Sequence, residues 1–384
     1  MRSQRWKNTL GWLLMLLVSS CVEPYFPEVM DAPNTYLVVN GFINANGTTN
    51  IQLVRTQNLN DHMAPPPESG AIVMIEAENG ESFRLEEIYP QGTYQVQNLN
   101  LNDATNYRLF IRTNDNKEYA SDFIQVKRSP EIDAITWAPL DEEVQLYVST
   151  HDPSNKTRYY RWQFEYTWQF RSPLFTALKY ENGAVVPREG DDPIIYNCWK
   201  SEKSNTIEYG TSVKLSQDVI SNYKLTTIPA GSEKLSVKYS VLVKQYALTK
   251  QAYEYWEILK KNTENIGTLF DPLPSQLTGN IRCLTNPDEP VIGFISASTV
   301  TEKRAFIDRR ELPREWHYNA PSCFADTMLL SENSVSDFFG NGSMMPVNEV
   351  YLDGGVSPVG YTYAPKSCVD CRTMGTNVKP YFWE

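Results

Sequence analysis

From Tyr160 to Phe170 every even position is aromatic, in the order Tyr160, Trp162, Phe164, Tyr166, Trp168 and Phe170. The intervening positions are Arg161, Gln163, Glu165, Thr167 and Gln169, all polar. A strict period of two predicts one long strand with an aromatic face and a wet face. The aromatic face reads as the core side of a sandwich rather than a sugar-stacking platform, because the other face already meets water. At the far end, Trp168 and Phe170, together with Trp199, are candidates for a ligand rim.

Upstream, short apolar runs alternate with turn signals. The runs TYLVVNGFI, TTNIQLV, AIVMIEAE, ESFRLEEI, GTYQV and NYRLFIRT, with Asn46-Gly47 and Asn79-Gly80 among them, predict hairpins. Asn-Gly readily supplies the two positive φ angles of a type I′ turn. Residues 35–127 therefore predict a first sandwich of immunoglobulin type. The run Pro65-Pro66-Pro67 reads as a stiff surface loop within it.

Pro130 marks a boundary, and residues 128–312 predict a second sandwich. Within it, residues 172–210 read as a long, irregular insertion. One amphipathic helix is expected over 249–266, with Thr249 as N-cap, Gly267 beyond its C-terminus and Ala252, Tyr255, Trp256, Leu259 and Ile266 on one side. That side is expected to cover the second sandwich. Residues 313–384 read as a loop-rich tail with three cysteines. The fold class expected is thus mainly β, with tandem immunoglobulin-like sandwiches, one helix and a cysteine-containing tail.

The N-terminus changes the picture. Arg2, Arg5 and Lys7 precede an apolar run from Leu10 to Val18, and Val18-Ser19-Ser20-Cys21 has the form of a lipoprotein box. Residues 1–20 therefore read as a signal peptide, Cys21 as the lipidated residue and 21–34 as a tether carrying Glu23, Pro24, Pro27 and Glu28. Acyl chains contribute about 0.8 kcal/mol per buried methylene, so an anchored body needs no spanning helix. Loss of the signal takes the formal net charge from −11 to −14. So acidic a chain repels phosphate backbones, which argues against nucleic-acid partners.

Candidate chemistry is sparse. His62, His151 and His317 do not form a metal-ligand spacing, and no nucleophile elbow, P-loop or dinucleotide fingerprint occurs. No cofactor or metal is expected. Asp191, Asp192, Asp288 and Glu289 are the acidic residues from which a glycosidase pair could be drawn, although acidic loops are usually just solvated. Cys368-Val-Asp-Cys371 lacks the strand and helix flanks of a redox motif. In an exported chain it reads instead as half of a disulfide framework. With Cys21 lipidated five cysteines remain, so Cys368 and Cys371 are expected to tie the tail to Cys323 and Cys198, leaving Cys283 free. Which pairs with which stays open.

Taken together, the lipobox followed by YLVVNGFI, the segment LVRTQNLND to PPPESGAIVMIE, YSVLVKQYALTKQAYEYWEILKKNTENIGTLFDPLPSQLTGNIRC and the closing CVDCRTMGTNVKPYFW resemble the Bacteroidetes lipoprotein family called domain of unknown function 4249. The resemblance covers essentially the whole mature chain. It implies an outer-membrane lipoprotein of the cell envelope, on the cell surface or the periplasmic face, next to a TonB-dependent receptor. It carries no catalytic residues. The function expected is a non-enzymatic accessory or binding partner of such a transporter in uptake of a peptide, glycan or chelated metal. A structural or adhesive surface protein is the alternative, and a surface hydrolase a third.

Overall fold

The computed structural model describes residues 35–58, 61, 63–264 and 277–383. The signal, Cys21, the tether and His62 lie outside the described residues, as do Ile266 and Gly267.

The first sandwich is one sheet folded over on itself. Strand Ser82–Ile88 belongs to both layers: Ser82 to Leu85 pair with Ile72–Ala77, and Glu86 to Ile88 pair with Thr93–Val96. One layer continues to Thr49–Arg55 and Leu37–Gly41, the other to Asn106–Arg112 and Glu118–Ser121. Alternating residues such as Val73, Ile75, Leu109 and Ile111 are fully buried between the layers. The turn at Asn79-Gly80 differs from expectation: only Gly80 has a positive φ, of 90°. Ala77 and Glu81 close a three-residue loop with glycine in the left-handed position instead of a type I′ pair. At Asn46-Gly47 neither residue has a positive φ, and the short strand Ile43–Asn44 pairs in parallel with Ala297–Ser298 rather than in a hairpin.

That last pairing corrects the expected boundaries. Residues 128–312 do not all belong to the second sandwich. Strand Ile281–Cys283 extends the first sheet beside Glu118–Ser121, Ile292 bonds to both Val39 and Leu37, and Ile281, Cys283, Ile295 and Ala297 fill the first core. These residues are apolar and of period two, so their membership is decided by partners that sequence spacing does not reveal.

The second sandwich sets a three-stranded sheet against a five-stranded one. Ile132–Leu140, Glu143–His151 and Val219–Pro229 form the first, in that order. The other is centred on Tyr159–Arg171, flanked on one side by Lys238–Ala247 and then Val300–Asp308, and on the other by Asn197–Lys203 and Glu208–Thr211. The aromatic face turns inward as predicted: Tyr160, Trp162, Phe164, Trp168 and Phe170 are 0–3 % exposed.

The helix spans Lys250–Glu264, and the Thr249 hydroxyl accepts from the Ala252 N–H as an N-cap should. It does more than cover the second sandwich. Tyr253 packs on Tyr159 and Tyr209 of that sandwich, while Tyr255 packs on Phe294 of the first. The helix is therefore a strut across the joint. Ser129 and Thr299 exchange hydrogen bonds at the same place, where the two chain crossings lie side by side.

The tail is not the loop expected. Asp326–Leu329, Gly360–Pro365 and Met344–Val350 form an antiparallel sheet, with short helices Val335–Phe339 and Lys366–Val369. The insertion is also ordered: Leu178–Glu181 and Ala184–Pro187 form a hairpin whose Asn182 and Gly183 both have positive φ. Leu178 packs with Met328, Phe339 and Tyr361, so insertion and tail build a third unit together.

Candidate functional site

The strand Tyr159–Arg171 starts at the joint and ends at the third unit, which brings Trp168 and Phe170 beside the edge strand Asn197–Lys203. Two disulfides fix this end. Cys198 is joined to Cys371 and Cys323 to Cys368, with Cα–Cα separations of 5.8 Å each. Cys283 is a buried free thiol in the first sandwich.

The proposed aromatic rim is not a stacking surface. Trp168, Phe170 and Trp199 are 3 %, 1 % and 9 % exposed, because their rings complete the core or meet the returning C-terminus. Trp199 sits edge-on to Trp383, which also packs on Phe306. What faces solvent is polar. Glu233 accepts from the Trp168 indole at 3.0 Å and pairs with Lys200 at 2.8 Å. The Lys200 ammonium lies 4.5 Å from the centre of the Phe170 ring, and Lys234, 4.6 Å over Tyr166, pairs with Glu202. These contacts close a trough of about 610 Å³ against Met374, Gly375 and Thr376. Gly375 is needed there: a Cβ would stand 2.6 Å from the Trp199 carbonyl oxygen and 2.8 Å from the Phe170 ring.

A second cleft, of about 640 Å³, lies on the first sandwich beside Thr35. Its half-buried charges are coupled. Glu289 accepts from the Tyr119 hydroxyl at 2.6 Å and pairs with Lys117 at 2.7 Å, while Arg55 is bonded to Glu68. Burial pushes the Glu289 carboxyl up, but Lys117 and Tyr119 more than offset it and hold the group below the ordinary carboxylate range. Glu289 therefore cross-links the returning segment to the first sandwich. Asp288 is exposed on the same cleft.

Asp192 receives the Glu189 N–H and the Lys179 ammonium, and both hold it low. Its neighbour Asp191 is exposed. A glycosidase acid must stay protonated near neutrality, and neither Glu289 nor Asp192 does. His151 bonds the Asp133 carboxylate at 2.8 Å on the surface, which raises its pKa, and His317 is exposed. Among the described residues no three His, Cys, Asp or Glu side chains gather as a metal site would require. Sequence reasoning missed Lys200, Glu233 and Gly375, which come from three separate segments with no shared signal.

The sheet orders and the stapled third unit define a mainly β, tandem-sandwich protein with few helices. The model of the family described as Domain of unknown function (DUF4249) matches residues 22–304, and the chain belongs to that family. Among solved structures, a two fibronectin type III domain segment from chicken tenascin is similar at 11 % identity, over 55 % of this chain and 91 % of that one, with a TM-score of 0.18. So loose a superposition adds nothing to the sheet orders. A comparison with curated proteins finds no match.

Proposed function

We propose that the protein is a non-enzymatic, lipid-anchored outer-membrane accessory or binding partner of a TonB-dependent transporter in nutrient uptake. The supporting observation is directional. Strand Leu37–Gly41 runs from the Thr35 end toward the joint, where Phe42 packs on Tyr246. Tyr159–Arg171 then leaves the joint and covers about 40 Å at roughly 3.3 Å per residue before it reaches the third unit. An anchor at Cys21 would thus enter at the Thr35 end of the first sandwich, with the disulfide-stapled unit carried beyond the second. Such an order presents that unit away from the point of attachment, which suits a partner of an embedded barrel.

The test is extraction of the full-length lipoprotein from its own outer membranes in mild detergent, with affinity capture. A β-barrel receptor recovered in near-equal amount is the expected result. Recovery without any barrel protein would overturn the reading.

A further inference from the structure

The long strand Tyr159–Arg171 has partners along both sides, but its outer neighbour is covered unevenly. Glu208–Thr211 is shielded by the helix, through Tyr253 against Tyr209 and Lys260 to Glu208 at 3.2 Å. Trp199 is shielded by the tail: its N–H donates to the Thr376 carbonyl at 2.8 Å, and the Thr376 N–H donates back at 3.0 Å. Between these covers lie Ser201, Glu202 and Lys203, all exposed. In an antiparallel ladder outward and inward backbone groups alternate. Since Trp199 points outward, so do the N–H and C=O groups of Ser201 and Lys203, which have no backbone partner on that side among the described residues.

We propose that Ser201–Lys203 is a strand-addition site for an extended segment of a partner polypeptide. The tail bridge at Thr376 is the first rung of such an addition, made by the chain itself, and the trough continues from it along the open edge. The register with Tyr159–Arg171 is uninterrupted there, with no bulge or proline to blunt pairing. Main-chain pairing supplies the affinity in this mode, so the ligand class is an extended peptide rather than a sugar or a metal chelate. Only the identity of the partner depends on the transporter reading above.

The experiment places a photoreactive benzoylphenylalanine at position 202 of the full-length protein in intact cells, with position 84 on the first sandwich as the control. Ser201→Pro and Lys203→Pro each delete one outward N–H without touching the ladder, and edge positions tolerate proline. Ser201→Ala and Lys203→Ala keep the N–H. Thermal unfolding of each variant confirms that the sandwich remains intact, and two proline positions guard against one that does not fold. The expected result is a polypeptide adduct at position 202 only, retained by both alanine variants and reduced about tenfold by both proline variants. No adduct, an adduct insensitive to proline, or a covalent dimer of this chain would overturn the proposal. A proline-sensitive adduct with a polypeptide other than a barrel would keep the strand-addition site and remove the transporter reading. A barrel recovered equally with the proline variants would do the reverse.

Discussion

Gln245 is fully buried and joins three segments of the second sandwich. It accepts from the Trp162 indole at 2.9 Å and donates to the Pro130 carbonyl at 2.8 Å and the Thr150 hydroxyl at 3.0 Å. Replacing Gln245 with Leu removes all three bonds, yet the consequences differ. Pro130 still accepts from the Thr301 hydroxyl at 2.8 Å, and Thr150 still donates to the Glu131 carbonyl at 2.9 Å. Only the Trp162 N–H is left without an acceptor, in a ring that is 0 % exposed and stacked 4.7 Å from Tyr223. An orphaned buried donor costs about 1–3 kcal/mol, and with the lost bonds the expected destabilisation is about 2–4 kcal/mol. Trp162→Phe removes the donor itself, so Gln245→Leu should cost at least about 1 kcal/mol less in that background. Urea unfolding of the four proteins, followed by far-UV circular dichroism and fluorescence, gives the cycle. A Gln245→Leu cost under about 0.5 kcal/mol, or additivity within the usual few tenths, would refute the assignment of this network as the pin of the second core.

Removing the Cys198–Cys371 bridge with alanine at both positions opens a loop of 173 residues. Chain entropy puts its value near 5 kcal/mol, and limited proteolysis should then release the tail while leaving the first sandwich intact. Glu289→Gln should cost about 2 kcal/mol at pH 7, from charge-assisted bonds to Lys117 and Tyr119. Because the folded-state pKa is lowered from 4.5, that stabilisation is full above roughly pH 5 and lost as pH falls through the folded value. Melting temperatures of wild type and variant should therefore converge in acid; a gap that persists there would count against the assignment. Arg161, stacked 3.7 Å over Trp256 with its Nε–H unpartnered, has its pKa pulled down to about 10 by burial. Arg161→Met should be neutral or stabilising by thermal melt, since the desolvated charge has no carboxylate partner among the described residues. A loss above about 2 kcal/mol would show that the ring contact outweighs the desolvation.

The aromatic strand was legible because periodicity reports burial directly: each even residue had to face one layer. The helix was legible for the same reason, together with its Thr249 cap. What escaped was long-range. Asn182-Gly183 carries the same turn signal as Asn79-Gly80, but its flanks, KYE and AVV, are too short to stand out from a Pro- and Asp-rich stretch. Their burial depends on Phe339 and Tyr361, which lie more than 150 residues away. The trough was hidden likewise. Gly375 joins the Lys200–Glu233 pair because the disulfide at Cys371 holds the tail at the sheet edge. The aromatic residues that drew notice were the ones the core consumed.

The return of residues 281–298 to the first sandwich also sets the order in which the protein can be completed. A chain synthesised from its N-terminus delivers Leu37 first, yet that residue's core stays open until Ile292 and Ala297 have emerged, some 250 residues later. In the interval the edge Glu118–Ser121 and the apolar interior beneath it are uncovered. Such a non-local closure is slow compared with pairing of adjacent strands, so the oldest part of the chain is among the last to become protease-resistant. Any expression fragment cut at Pro130 would inherit that unfinished state permanently.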